Sequence, residues 1–276
     1  MALQSALGLR RSAGFLLKPL VSIITPTFGR EEFLAQALRS VREQTYPNIQ
    51  WLILDDSPEP CRTLAACGDA RILYEHVPQR LTIGEKRNRL IAKARGEYIA
   101  HFDDDDYYAP RFLEVMVSTL DESGADFANL SAWYLYDLRH DFFGFWNLRQ
   151  TTGLHYICSL DRLQLATFTS ENNATLRDNH LGYGFSYVYR RSLAKAVPFA
   201  ARNWGEDAEF VKAAAANFKL HSIEDHGGLV LHVLHAASSS SCFPQYHLPN
   251  FLVPVLFAPY REFLWQQRQR RGPVTV

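Results

Sequence analysis

The chain has 276 residues, of which 47% are hydrophobic and 21% are charged, a balance typical of a globular protein with a well-buried core. Its 29 basic and 29 acidic side chains give a formal net charge of zero, which excludes the basic excess of a typical nucleic-acid-binding protein. The length accommodates one large α/β domain or two small domains, and we expect no nucleic-acid partner.

The N-terminal extension, residues 1–19, does not have the sequence of a signal peptide. Arg10 and Arg11 interrupt its apolar residues, and no small-residue cleavage site follows them. The chain also contains no apolar run long enough to cross a bilayer. We therefore expect a cytoplasmic protein whose only membrane contact is peripheral, at the inner face.

The first elements form a strand, a helix and a second strand. Val21 to Thr25 is a β-branched run that ends at Pro26, and Trp51 to Leu54 is a second apolar run. Apolar residues recur at helical spacing between them, at Phe33, Leu34, Ala37, Leu38 and Val41. This order predicts a right-handed crossover between parallel strands, the second of which leads into Asp55-Asp56.

A similar unit follows along the chain. Arg71 to Tyr74 is predicted as a strand, Gly84 to Arg95 as a helix, and Tyr98 to Phe102 as a strand that leads into Asp103 to Asp106. The later predicted elements are a helix from Pro110, strands at Phe127–Leu130 and Leu229–Leu234, and a helix at Glu206–Phe218, with regular structure resuming at Phe185–Tyr189 after a weaker stretch.

Both acidic clusters follow predicted parallel strands, and ligands bind outside the carboxyl ends of such strands. Neighbouring carboxylates repel one another unless a cation neutralises them, and Mg²⁺ is usually held by carboxylates together with a substrate's phosphates. On an extended path Asp103 and Asp105 point to the same side, and Asp104 points to the other. The pattern favours a metal shared with a diphosphate. The alternative is a solvated loop that caps the next helix.

Four segments, in order, resemble the motifs of family 2 glycosyltransferases, which have the GT-A fold. They are VSIITPTFGREEFLAQALRSVREQTYPNIQWLILDDS, RNRLIAKARGEYIAHFDDDDYYAPRFLE, YVYRRSLAKAVPF and NWGEDAEFVKAA. The resemblance implies a single α/β domain with a mostly parallel sheet flanked by helices. Its nucleotide-sugar-binding half would be residues 20–130 and its acceptor-binding, catalytic half residues 131–243, followed by a C-terminal arm at 244–276.

The resemblance also implies a function. It is the inverting transfer of a sugar from a nucleotide diphosphate to a hydroxyl on a glycan or glycolipid, in bacterial-type surface glycan synthesis. The implied nucleotide-binding residues are Pro26, Thr27, Asp56, Arg87 and Asp103. A carboxylate at Asp56 suits the N3–H of uracil or thymine, and a UDP-sugar is the favoured donor, although guanine also offers donors.

The implied metal ligands are Asp105, Asp103 and His235, for Mn²⁺ or Mg²⁺. The division of roles within Asp103 to Asp106 stays open, and His235 is alternatively a hydrogen-bonded core residue. The implied catalytic pair is Glu206-Asp207, with Asp207 as the general base. The alternative for this pair is that both acids stabilise the start of a helix.

Two regions have alternative interpretations. The aromatic stretch from Trp133 to Trp146 is either a sugar-stacking platform or a small hydrophobic core around an insertion. The C-terminal arm carries apolar residues followed by Arg268, Arg270 and Arg271. It is interpreted as packing on the domain, as a homodimer contact, or as peripheral contact with an anionic membrane.

Two other functions compete with glycosyl transfer. A sugar-phosphate nucleotidyltransferase usually has a glycine-rich loop after its first strand, and here the loop from Thr25 to Arg30 has one glycine. A non-catalytic sugar-nucleotide-binding protein would not need both the metal acids and Glu206-Asp207.

Overall fold

A computed structural model of the chain describes residues 18–177, 183–238 and 240–270. The strands are β1 (Val21–Thr27), β2 (Ile49–Asp55), β3 (Ile72–His76), β4 (Tyr98–His101), β5 (Tyr107–Tyr108), β6 (Phe127–Asp137), β7 (Phe142–Asn147), β8 (Gly153–Ser159), β9 (Arg162–Phe168), β10 (Val188–Arg190), β11 (Leu220–Glu224), β12 (Val230–Leu234) and β13 (Tyr246–Leu248). The helices are α1 (Glu31–Arg42), α2 (Arg62–Ala65), α3 (Ile83–Lys93), α4 (Phe112–Ser123), α5 (Ala174–Arg177), α6 (Arg191–Ala196), α7 (Glu206–Ala215), α8 (Val253–Leu256) and α9 (Arg261–Arg270). Most of the N-terminal extension lies outside the described residues.

The first half of the sheet is parallel, as predicted. Strands β3, β2, β1 and β4 lie side by side in that order, and each pair is parallel. Thr27 at the end of β1 lies opposite Asp55, and Ile24 lies opposite His101 near the end of β4. The two acidic clusters therefore follow strands that end at the same edge of the sheet.

The second half of the sheet is mixed and is built around β6. Strands β7 and β10 pair with β6 antiparallel, whereas β11 and β12 pair with it parallel. The two-residue strand β5, directly after the acids, pairs with β12 at Val230 and Leu231. This pairing with the first residues of β12 holds the acidic segment beside that strand. The α/β fold is confirmed, with one sheet running through both halves of the chain.

The aromatic stretch forms hydrophobic core. Trp133 and Tyr136 are 0% exposed and Trp146 is 1% exposed, and the two indole rings meet edge to face with centroids 5.4 Å apart. The strand predicted at Phe127–Leu130 continues to Asp137 in the structure. Its residues are buried on both faces, so its sequence lacks the alternation of a half-exposed strand, and the prediction was therefore too short. A sugar-stacking platform at Trp133 and Trp146 is therefore wrong.

The C-terminal arm packs on the domain. Val253, Phe257, Tyr260 and Leu264 are buried in a cluster with side chains of β5, β6, β7 and β12. The arm is divided into short helices at prolines, consistent with the predicted absence of one continuous helix. Within the described ranges, the molecule contains no helix with the length and apolar character needed to span a bilayer.

Candidate active site

The acidic segment after β4 brings three carboxylates together. Asp103, Asp105 and Asp106 each offer an oxygen, and these three oxygens lie within 4.8 Å of one another. Asp104 Oδ2 accepts a hydrogen bond of 2.5 Å from Thr27 Oγ1, and its Oδ1 shares the Arg30 guanidinium with Asp105. The segment forms a turn and not the extended path on which the alternation was expected, and Asp106 joins the two predicted ligands Asp103 and Asp105.

Asp105 is held by two donors at a single oxygen. Arg30 Nη1 donates to Asp105 Oδ2 and also, at 3.1 Å, to Asp104 Oδ1. His235 Nε2 lies 2.9 Å from the same Asp105 Oδ2. Because His235 Nδ1 accepts the N–H of Ala237 at 3.2 Å, a neutral ring carries its proton on Nε2 and donates it to Asp105. The structure thus brings His235 to the acidic segment.

Asp106 has its own histidine, His232. His232 Nδ1 lies 3.0 Å from both Asp106 oxygens, and the N–H of Val233 donates to Oδ1 at 2.8 Å. The ring also stacks on Phe185, with centroids 4.6 Å apart. A histidine three residues before His235 on an apolar strand gave no sequence signal for this pairing.

The acidic segment has more negative charge than its neighbours neutralise. Burial raises the pKa of Asp103, Asp104 and Asp106 above the usual range, and the charge of Asp105 raises all three further. Burial also opposes ionisation of Asp105, but Arg30 and His235 outweigh it and hold the pKa of that carboxyl well below its usual value. Such a set of hard oxygen donors, short of positive charge, fits a divalent cation.

Asp56 is buried beneath two basic side chains, Arg80 and Lys86, which form a cover over it. Its side chain is 0% exposed, and Oδ1 accepts hydrogen bonds from Arg80 at 2.6 Å and Lys86 at 2.7 Å. The N–H of Leu81 donates to Oδ2 at 2.7 Å. The Arg80 guanidinium also stacks 3.3 Å from the ring centroid of Phe28, which is 39% exposed. Direct contact between Asp56 and a nucleotide base therefore requires Arg80 to move.

Lys86, which no sequence pattern singles out, also fixes the end of β1. Its Nζ donates to the carbonyl of Thr27 at 2.8 Å in addition to its bond with Asp56. Pro26 lies one residue earlier in β1, opposite Leu54. Pro26 and Thr27 thus lie between the two acidic strand ends.

Helix α3 positions Lys86 and Arg87, and its start is specified locally. Thr82 and Glu85 form a capping box, in which each side chain accepts a hydrogen bond from the other residue's backbone N–H. Gly84 lets the helix approach the chain near α7, since a Cβ there would lie 1.8 Å from the carbonyl oxygen of Ala200. This contact brings the start of α3 against the segment before Glu206.

Arg87 connects the acidic segment to the Glu206-Asp207 pair. Its side chain is 5% exposed, Nη1 pairs with Glu206 Oε1, and Nη2 lies 3.8 Å from Asp103 Oδ1. Gly184 leaves room for this arrangement, because a Cβ at that position would lie 3.0 Å from Arg87 Nη2 and 3.3 Å from Asp207 Cβ. The predicted metal acids and the predicted catalytic pair therefore lie around one buried guanidinium.

Asp207 lies at the entrance to α7. Gly205 takes the left-handed conformation, with φ of +75°, and the helix begins at the next residue. The Asp207 carboxylate accepts N–H bonds from Gly184 at 3.0 Å and from Ala208 at 2.8 Å. Burial raises its pKa, while Arg87 opposes that shift. Helix α7 ends at Ala215, one turn before the predicted end at Phe218.

The sequence matches the model of glycosyl transferase family 2 over residues 22–197, which is more than half of the chain. The chain therefore belongs to glycosyl transferase family 2. It is 36% identical over 104 residues to an Escherichia coli (strain K12) protein named "Putative colanic acid biosynthesis glycosyl transferase WcaA". That alignment covers 36% of this chain and 37% of the relative. The match therefore spans little more than a third of the relative's length.

Two solved structures share the fold. The S. aureus TarS 1–349 complex with UDP-GlcNAc has a TM-score of 0.59 at 17% identity, over 79% of this chain and 59% of that one. The mannosyltransferase PcManGT from Pyrobaculum calidifontis, in complex with GDP-Man and Mn²⁺, has a TM-score of 0.55 at 14% identity, over 80% and 58%. At these identities the similarity establishes the fold alone. The bound ligands are observations about those two proteins.

Proposed function

We propose that this chain is a metal-dependent, inverting glycosyltransferase. It transfers a sugar from a nucleotide diphosphate, with uridine as the favoured nucleoside, to a hydroxyl acceptor in bacterial-type surface glycan synthesis. The observation that carries the proposal is the Arg87 junction, where Asp103 of the acidic segment and Glu206 beside Asp207 contact the same guanidinium. Membership of the family and the named pathway of WcaA support the choice of reaction and of product class.

In this proposal the acidic segment holds Mn²⁺ or Mg²⁺. Asp103, Asp105 and Asp106 provide the clustered oxygens, and His235 orients Asp105 or joins the ligands once the Arg30 contact is released. The bound ion supplies Lewis-acid stabilisation of the charge that develops on a departing diphosphate. The complex of PcManGT with Mn²⁺ supports the choice of ion.

Asp207 acts as the general base. Its carboxylate is fixed by two backbone N–H groups and takes the proton from the acceptor hydroxyl as that oxygen attacks the anomeric carbon. Glu206 does not need to touch the acceptor. Its role is to hold Arg87, which lies between Asp103 and the Glu206-Asp207 pair. A single base on the face opposite the leaving group inverts the anomeric centre.

The nucleotide would lie along the ends of β1 and β2, between the two acidic clusters. Pro26 and Thr27 form its floor, and Asp103, whose side chain is 32% exposed, is within reach of a ribose. Asp56 then either hydrogen-bonds the base after Arg80 moves, or holds Arg80 and Lys86 in place so that these two side chains contact the nucleotide. UDP and UDP-GlcNAc bound to TarS support a uridine donor.

A panel of nucleotide sugars, with and without Mn²⁺ or Mg²⁺, tests the proposal by thermal unfolding and by release of nucleotide. We expect one donor to raise the melting temperature only with metal, since ligand at about 100 times its Kd adds about 2.7 kcal/mol to the free energy of unfolding. The same donor should release a nucleoside diphosphate. Donor binding without any release would instead indicate a non-catalytic binding protein, and formation of pyrophosphate from a nucleoside triphosphate would indicate a nucleotidyltransferase.

We also propose that the C-terminal arm contacts an anionic membrane peripherally, at the inner face of that membrane. Its exposed apolar side chains are Phe251, Val255 and Trp265, at 69%, 70% and 59% exposure. Phe251 and Trp265 line an open cavity of about 270 Å³ that Arg261 also lines. Apolar side chains beside basic ones are typical of interfacial binding. A homodimer through the same surface is the alternative.

We expect the triple substitution Phe251→Ser, Val255→Ser and Trp265→Ser to lose most binding to phosphatidylglycerol vesicles in co-sedimentation. Deleting the whole arm would instead uncover buried side chains such as Phe257 and Tyr260. The matched control replaces three exposed leucines of the β8–β9 hairpin with serine: Leu154, Leu160 and Leu165. Equal sedimentation of the arm variant and the wild type would contradict membrane contact, and a concentration-dependent mass change in light scattering would indicate the homodimer.

A further inference from the structure

Arg30 is a cation inside the candidate metal site. It lies between β1 and α1, where it offers no side-chain cap to the helix. Its Nη1 contacts Asp104 and Asp105, and its Nη2 donates to the carbonyl of Ala237 at 3.1 Å. Arg30 therefore joins the acidic segment after β4 to the loop after β12.

The Arg30 contact occupies one carboxylate oxygen of Asp105, an acid of the candidate metal cluster. Asp105 Oδ2 already receives Arg30 and His235, and a carboxylate oxygen has two lone pairs. Both oxygens of Asp104 are also engaged, one by Arg30 and the other by Thr27. A divalent cation that takes Asp105 Oδ2 must displace Arg30 or His235, and a guanidinium left in place would lie beside a second positive charge, which favours release of Arg30.

Release of Arg30 becomes favourable when an anion arrives with the cation. A diphosphate offers oxygens that a guanidinium binds through two parallel hydrogen bonds. The Arg30 side chain is 22% exposed, so it borders solvent from which such an anion would enter. The side chain is therefore suited to exchange between a carboxylate partner and a phosphate partner.

We propose that Arg30 is the resident counter-cation of the acidic segment and exchanges from Asp105 to the diphosphate when metal and nucleotide bind together. This inference rests on the proposed function and adds a positioning residue to it. Arg30 weakens binding of the metal alone and strengthens binding of the nucleotide in the presence of metal. By linkage, it makes the two binding events cooperative.

Arg30→Gln should shift the two affinities in opposite directions. Mn²⁺ alone, followed by the electron paramagnetic resonance signal of the free ion, should bind about tenfold tighter, the factor that one charge-assisted hydrogen bond is worth. UDP and GDP, titrated calorimetrically at saturating Mn²⁺, should bind about tenfold weaker or more. Arg30→Lys keeps the charge and should fall between the wild type and Arg30→Gln in both assays.

Arg39→Gln is the matched control, since Arg39 lies on the helix that follows Arg30 and pairs with Glu43 across one turn, away from the acidic segment. It should leave both affinities unchanged. Unchanged or weaker Mn²⁺ binding by a folded Arg30→Gln variant overturns the counter-cation role, and unchanged nucleotide affinity overturns the exchange. A wild-type protein that binds Mn²⁺ but neither nucleotide contradicts the proposed function and the exchange, while the Mn²⁺ comparison still decides the counter-cation role.

Discussion

Asp207→Asn is expected to lower the rate of sugar transfer by about 10³-fold or more while nucleotide affinity changes little. The amide keeps the size of the carboxylate but cannot accept a proton from the acceptor hydroxyl. Nucleotide affinity should persist because Asp207 contacts the N–H groups of Gly184 and Ala208 and not the acidic segment. Turnover and calorimetric nucleotide binding, both at saturating metal, measure the two effects.

Glu209→Gln is the matched control for this substitution. Glu209 lies in the same first turn of α7 and pairs with Arg202 at the surface, so its loss should leave transfer near the wild-type rate. A melting curve of Asp207→Asn checks the fold, because the amide can accept from only one of the two N–H groups. Near-wild-type turnover in a folded Asp207→Asn protein would show that another group removes the proton.

The pH dependence of transfer provides a further measurement of the same role. Burial raises the pKa of Asp207 from its usual 3.8, so the carboxylate becomes protonated, and inactive as a base, at a higher pH than an exposed aspartate would. We expect the wild-type rate to fall as the pH drops through this raised pKa. The residual rate of Asp207→Asn should lack this acidic limb.

The positions of the acids could be predicted from the sequence because they follow from local order. A buried strand followed by aspartates occurs twice, after β2 and after β4, and parallel pairing brings both ends to one edge. The start of α7 was likewise visible, because Gly205 precedes two acids and a helical run. Such features require only the order of neighbouring residues and the chemistry of strand ends.

The partners of the acids could not be predicted in the same way. Arg30 lies 75 residues from Asp105, and His232 lies 126 residues from Asp106. Each pair forms only when separate segments meet, through the pairing of β5 with β12 and the packing of α1 beside the acidic loop. The cover over Asp56 had no sequence signal for the same reason, since Arg80 and Lys86 come from the segment that leads into α3 and from α3 itself.

The aromatic stretch illustrates a different limit. Alternation of apolar and polar residues marks a strand with one exposed face, and β6 is buried on both faces. Its sequence, rich in tryptophan and tyrosine, suited an exposed sugar platform equally well. Only the packing of Trp133 against Trp146 and Tyr183 decides in favour of core. The exposed indole nearest to Asp207 in sequence is Trp204, at 77% exposure.

Asp105→Ala is expected to abolish the metal-dependent part of nucleotide binding and to lower transfer by at least about 100-fold, since a bound cation is worth several kcal/mol of charge stabilisation. Among the clustered acids, Asp105 alone has a pKa held well below its usual value, by Arg30 and His235, against the opposing effect of burial. It is therefore the acid of the cluster that most favours a cation, and metal bound with nucleotide would replace Arg30 there. The measurement is calorimetric nucleotide affinity with and without Mn²⁺.

The Asp105 prediction separates metal binding from general damage to the site. Nucleotide affinity without metal should not fall in Asp105→Ala, because Lys86 keeps its contacts with Thr27 and Asp56, and Arg30, released from Asp105, stays available to the diphosphate. Asp161→Ala, in the exposed turn of the β8–β9 hairpin, removes an acid with a single local partner and should change neither affinity. If the wild type binds nucleotide equally well with and without metal, Asp105 has no metal role, and the oxygen cluster it forms with Asp103 and Asp106 requires another explanation.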